Sequence, residues 1–130
     1  GEILGGEEKE ISVPALSSVW LDKVELPDVD VFSEYVSYEA WEKGERISEG
    51  TVIFSYPKYF RYEDPKLTYK LEGNKITVSA CTYAKSVEIL NENEDLVLSD
   101  NYFDLNGDSR TVEILRGTPE GIRLKSVWDI

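Results

Sequence analysis

Leu67, Tyr69 and Leu71 alternate with polar residues, and after Gly73-Asn74 the alternation resumes with Ile76, Val78 and Ala80. A period of two gives a strand one apolar face, so the two runs predict a hairpin over residues 67–80. A two-residue Gly-Asn loop fits a type II′ turn, because Gly73 takes the positive φ of the first central position without a Cβ clash. That loop sets Leu71 opposite Ile76, Tyr69 opposite Val78 and Glu72 opposite Lys75, with both apolar sets facing one core.

The same theme recurs in short runs: Ile11 and Val13, Thr51 to Tyr56, Val87 and Ile89, Val112 and Ile114, and Ile122 to Trp128. Gly44, Gly50, Asn106-Gly107 and the loop from Gly117 to Gly121 punctuate them with turn residues. Residues 29–42 fit two patterns. Val29, Phe32, Val36 and Ala40 match a helical stripe, whereas the β-branched and aromatic residues between Tyr35 and Trp41 favour a strand over about 34–42. About seven or eight short strands spaced in this way predict an all-β chain, an antiparallel sandwich or barrel.

At 130 residues the chain has the size of one domain with a real hydrophobic core. Its net charge of −12, with 14 Lys and Arg against 26 Asp and Glu, argues against nucleic acid and anionic membrane surfaces as partners, since both require a basic face. The single cysteine, Cys81, closes no intrachain disulfide and reads as a small, partly buried hydrophobe in a strand-like run. Nothing in the sequence indicates a compartment.

The chain contains no histidine, which removes Ser-His-Asp triads, Cys-His pairs and His-based metal sites. Carboxylate pairs remain, but no motif marks one as catalytic. Asp104, Asn106 and Asp108 imitate the start of a calcium loop, yet Ser109 stands where the turn requires Gly and Leu115 where the loop ends on Glu. No metal or cofactor is expected. Asn106-Gly107 reads instead as a tight turn between strands. Tyr56, Tyr59, Phe60 and Tyr62 cluster around Pro57, and flat rings suit sugar faces; strand alternation, however, sends neighbouring rings to opposite sides. Trp20, Trp41 and Trp128 read as core or interdomain contacts before they read as ligands.

The octapeptide LSDNYFDL, Leu98 to Leu105, resembles a segment near the C-terminus of β-mannosidases of glycoside hydrolase family 2. VPALSS (Val13 to Ser18), YPKYF (Tyr56 to Phe60), DPKL (Asp64 to Leu67) and SVWDI (Ser126 to Ile130) resemble the same region in the same order, so the likeness spans most of the chain. The resemblance implies an immunoglobulin-like antiparallel β-sandwich, with residues 1–130 as a single C-terminal accessory domain behind a catalytic barrel. It leaves room for one or two strands ahead of Gly1, and hence for an exposed sheet edge. In the motif, Phe103 is expected to point inward, with Ser99, Asp100 and Asn101 structural; Asp100 and Asn101 would bind backbone groups at the strand entrance. The chain departs from the family pattern after the Asp-Leu pair, where Asn106-Gly107-Asp108 replaces a frequent proline and glycine at what reads as a hairpin tip.

The family's two catalytic glutamates lie in barrel motifs that no segment here resembles, so no catalytic residue is carried over. The resemblance implies a noncatalytic domain that packs on and stabilises a retaining exo-glycosidase of β-mannosidase or β-galactosidase type, its partners being the parent's other domains. The alternative is a carbohydrate-binding module in which Tyr59, Tyr62 and Trp41 hold a glycan.

Overall fold

The computed structural model describes residues 2–130 and is all-β: nine strands in three antiparallel sheets, with no α-helix among the described residues. The strands are β1 (Tyr35–Glu42), β2 (Glu45–Ile53), β3 (Thr68–Glu72), β4 (Lys75–Ser79), β5 (Tyr83–Leu90), β6 (Val97–Leu98), β7 (Phe103–Asn106), β8 (Ser109–Arg116) and β9 (Arg123–Lys125). Short 3-10 turns occupy Pro57–Tyr59 and Val127–Asp129. No helix among the described residues is long and apolar enough to cross a membrane.

The last seven strands form an immunoglobulin-like sandwich. One sheet has the order β3-β4-β8-β6 and faces the other, β7-β5-β9. After the β3–β4 hairpin every connection passes from one sheet to the other, so each loop wraps the core rather than extending a sheet. Ile76 and Val78 from β4 and Val112 from β8 meet Ala84, Val87 and Ile89 from β5 and Phe103 and Leu105 from β7, with Ile122 closing one end. Asn91, buried at the end of β5, donates to Asp95 Oδ1 (2.6 Å) and Thr118 O (2.9 Å), tying the loops after β5 and β8 together.

The predicted hairpin has the predicted register: Leu71 faces Ile76, Tyr69 faces Val78 and Glu72 faces Lys75. Gly73 takes φ +60°, as the turn requires. Its apolar sets are not equally buried, however: Ile76 and Val78 are fully enclosed, while Tyr69 and Leu71 remain more than two-fifths exposed. β3 is an outer strand, so only β4 lies beneath the opposite sheet. Leu67 and Tyr69 instead line a shallow hollow with Leu124 and Trp128.

The strand alternative for residues 34–42 holds, since β1 spans Tyr35–Glu42. The run at Ile11 and Val13 forms no strand; both residues are about half exposed and no neighbouring strand takes up their backbone groups. Asn106 to Ser109 is a corner between the two sheets rather than a hairpin tip, because β7 and β8 belong to different sheets. Cys81 is exposed, lying between β4 and β5 rather than within a strand. No tryptophan is in the core: Trp20 is 96% exposed, Trp41 59% and Trp128 46%.

Ile76→Ala should destabilise the chain by about 2–5 kcal/mol through lost burial and a residual cavity, whereas Lys70→Ala, on exposed β3, should change it by no more than about 0.5 kcal/mol. Urea unfolding of the two variants beside the parent chain measures both.

Candidate functional site

The most organised surface of the chain is where the β1–β2 hairpin meets the sandwich. Tyr35 opens β1 and Tyr83 opens β5, and their rings stack at 4.0 Å with 16° between planes. Phe60 meets both edge-on, at 6.4 Å from Tyr35 and 6.1 Å from Tyr83, and Tyr62 lies alongside Tyr83 at 6.1 Å. Such offset and edge-on pairs contribute about 0.5–1.5 kcal/mol each beyond the area they bury. The link between hairpin and sandwich thus runs through the aromatic cluster it helps to form.

At the end of this stack the Tyr83 hydroxyl lies 2.8 Å from Thr51 Oγ1, and Thr51 donates to Asp104. A hydroxyl has one proton to give, so Tyr83 donates to Thr51. Asp104 also accepts the Ser86 backbone N–H (2.8 Å) and pairs with Lys85 Nζ at 3.3 Å. Lys85 and Ser86 sit at a bulge in β5, where the ladder with β7 breaks between Ala84 and Val87 and Ser86 takes φ +52°. The bulge turns a backbone donor toward Asp104. Burial, reinforced by the Asp104 carboxylate, pushes the Tyr83 phenol well above its ordinary value of 10.0.

Charges bridge the rim. Arg46 of β2 contacts Glu39 (3.0 Å), Glu49 (2.7 Å) and Asp108 (3.7 Å), and Arg110 of β8 contacts Glu49 (3.1 Å) and Asp100 (2.9 Å). Two of these contacts, Arg46–Asp108 and Arg110–Glu49, join hairpin to sandwich. Asn106 adds a third tie, accepting from the Tyr35 hydroxyl and donating to Ser37 Oγ at 3.2 Å. The corner residues Asn106 and Asp108, where the sequence departs from the family pattern, therefore face the hairpin. An isolated exposed ion pair contributes about 0–1 kcal/mol; shared partners make this a network instead.

The motif residues Ser99, Asp100, Asn101 and Phe103 lie behind this junction. Asn101 Oδ1 accepts the Ile89 N–H (2.8 Å) and its Nδ2 donates to Ile89 O (3.2 Å). The side chain thereby extends the β5–β7 pairing ahead of Phe103, the first residue of β7, which pairs with Val87 of β5. Ser99 pairs with Glu113, its N–H donating to the carbonyl and its Oγ accepting the N–H, each at 2.9 Å. Asp100 accepts the Asn101 N–H (2.9 Å) while holding Arg110, whose guanidinium lies 5.1 Å above the buried Phe103 ring.

Two family models match the chain in succession. Residues 62–130 match Ig_mannosidase, an Ig-fold domain, and residues 1–59 match Mannosidase_ig, the mannosidase Ig/CBM-like domain. The first covers more than half of the chain and coincides with the seven-stranded sandwich. The chain belongs to the Ig_mannosidase family. The domains of both families are those of mannosidase-type glycosidases. No curated protein is similar enough to the chain to be matched to it. The break between the two matches falls at Phe60 and Arg61, within the junction.

In this Ig_mannosidase chain the residues expected to hold a glycan do not converge. Tyr59 is 55% exposed beneath Lys58 (4.7 Å) and edge-on to Tyr56 (6.3 Å), lining a shallow groove with Val31, Phe32, Phe54 and Pro57. Tyr62 turns the other way, into the cluster with Phe60 and Tyr83, and its hydroxyl is buried without a protein hydrogen-bond partner. Trp41 lies six residues along β1 from Tyr35, about 20 Å at strand rise, near the hairpin tip, where its Nε1 donates to Glu39 (3.0 Å). Tyr35, Thr51, Tyr83 and Arg110, which build the junction, carried no sequence signal beyond the strand runs that include Tyr35 and Thr51.

Asn101→Ala leaves the Ile89 N–H and C=O without their partner, and should destabilise the sandwich by about 2–4 kcal/mol in denaturant unfolding. A second expectation concerns pH. The folded value of Tyr83 exceeds the unfolded one, so unfolded chains lose this proton first, from about pH 10. The contribution of Tyr83 is therefore complete below pH 10 and lost as pH rises through the folded value. Stability measured from about pH 8 to 11 should fall less steeply in Tyr83→Phe than in the parent chain.

Proposed function

We propose that this chain is a noncatalytic C-terminal part of a retaining exo-glycosidase of the β-mannosidase type, in glycoside hydrolase family 2, and that it stabilises the parent by packing on its other domains. The observation that carries this reading is the junction itself: a membership of mannosidase Ig-type families coincides with a surface whose polar and aromatic groups are spent on joining one part of the chain to another. Tyr83, Thr51, Asp104 and Lys85 satisfy one another, and Glu39, Glu49, Asp100 and Asp108 are engaged by Arg46 and Arg110, so the carboxylates of that surface serve the join between the two parts. Retaining hydrolysis requires two carboxyls about 5 Å apart across a sugar cleft. In this reading that pair belongs to the parent's barrel.

The groove of Tyr56 and Tyr59 favours a second reading, a glycan contact made by the chain itself. Its two exposed rings are set at 77°, so they offer one sugar face and an edge rather than a continuous platform.

Titration of the chain with mannobiose, galactobiose and chitobiose, following tryptophan fluorescence and aryl-glycoside hydrolysis together, separates these readings. The accessory-domain reading expects neither response. It also expects a parent enzyme lacking residues 62–130 to lose thermal stability while the retaining mechanism persists. Saturable binding abolished by Tyr59→Ala would support the glycan reading, and turnover that survives purification would overturn the noncatalytic one.

A further inference from the structure

β1 and β2 have the reverse of the polarity expected for a ribbon packed on a core. The side toward the sandwich carries Tyr35, Ser37 and Glu39 of β1 with Glu49, Thr51 and Ile53 of β2; beyond the Tyr35 ring, which meets Tyr83 and Phe60, it is joined to the sandwich by hydrogen bonds and ion pairs. On the opposite side, by strand alternation, lie Val36, Tyr38 and Ala40, paired with Val52, Gly50 and Ser48, with Phe54 just beyond. Tyr38, Val52 and Phe54 are each more than two-fifths exposed. Tyr38 lies directly over Gly50, where any Cβ would overlap its ring, so this face is shaped as well as apolar. A lone two-stranded ribbon is marginal in water, and three or more strands with a shared apolar face are needed to stand alone.

Residues 2–34 repeat the mismatch. Ile11 and Val13, Val19 and Leu21, and Val24 and Leu26 are spaced two apart, as on a strand with one buried face, yet all are more than two-fifths exposed and none lies in a strand. The family match to residues 1–59 ends just before the link, so the hairpin and these residues fall in a different family unit from the sandwich.

We propose that the outward face of β1–β2 is the open core face of a first β-sandwich, and that its occupant is an antiparallel sheet of the parent polypeptide whose inner side is apolar. The proposal rests on the accessory-domain reading above, and it departs from the expectation of one domain over residues 1–130. The chain then divides at Phe60–Arg61. Residues 2–59 supply strands to the first unit, residues 62–130 are the second, and the Tyr35–Tyr83 stack with the Thr51–Asp104 bond is an interdomain joint. Polar groups suit such a joint because each unit keeps its apolar face for its own core.

Thiol labelling tests it. Val52→Cys and Tyr38→Cys, each with Cys81→Ser, place a thiol on either strand of the face, and Lys70→Cys in the same background is an exposed control. In the 130-residue chain all three should react with a soluble disulfide reagent at similar rates. In the parent polypeptide the two face thiols should react on the order of 100-fold more slowly, as for a packed position reached only by opening, while the control is unchanged. Equal rates in the two contexts would overturn the proposal. So would protection in the 130-residue chain that grows with its concentration, which would identify the occupant as a second copy. Aryl β-mannoside hydrolysis by the same parent preparation is read separately: its absence counts against the glycosidase reading, whereas equal labelling of an active parent defeats this inference alone.

Discussion

Tyr83 has its ring closed in by Tyr35, Phe60 and Tyr62 and its hydroxyl committed to Thr51, and this one side chain determines how the two parts of the chain meet. It opens β5, the central strand of the three-stranded sheet, so whatever holds Tyr83 is held by the core strand itself. A buried phenol without a partner would cost about 1–3 kcal/mol. Thr51 meets that need only with β2 in its observed place. The relation continues through Asp104, whose other oxygen takes the Ser86 N–H freed by the β5 bulge. An irregularity in the sandwich ladder thus becomes the receptor for the hairpin.

Elements governed by neighbours in sequence were legible from the sequence. The 67–80 hairpin followed from alternation and one glycine, down to the pairing of Glu72 with Lys75, because turn geometry fixes register. β1 was legible through its dense β-branched and aromatic residues. What alternation does not encode is which sheet a strand joins. Tyr69 and Leu71 alternate as well as Ile76 and Val78 do, yet an outer strand leaves them exposed. Asn106-Gly107-Asp108 has the composition of a hairpin turn and acts as a corner, since β7 and β8 follow one another in sequence but part in space. Ile11 and Val13 carry a strand pattern that no strand in the described chain pairs with.

The candidate site was less legible, for a physical reason. Its residues are common types, Tyr, Thr, Asp, Asn and Arg, contributed by β1, β2, β5, β7 and β8 at separations of tens of residues. No short motif spans such a set. The LSDNYFDL segment was informative about family because its side chains are fixed locally: Asn101 takes both backbone groups of Ile89, and Ser99 takes the N–H of Glu113. It stabilises the frame on which the junction sits, and of its residues Asp104 enters the junction through Thr51 and Asp100 through Arg110. The glycan residues fail to converge because Tyr59 ends the 3-10 turn and faces the outer groove while Tyr62, in the irregular link after it, turns into the aromatic cluster.

The central claim is that Tyr83 couples hairpin and sandwich into one mechanical unit, and a double-mutant cycle on Tyr35→Leu and Tyr83→Leu tests it most directly. Unfolding free energies of the chain, the two single variants and the double variant isolate the coupling of the stacked pair. The account predicts a favourable coupling of about 0.5–1.5 kcal/mol, as for aromatic pairs in contact. Strict additivity, with each substitution costing the same whether or not the other ring is present, would contradict it.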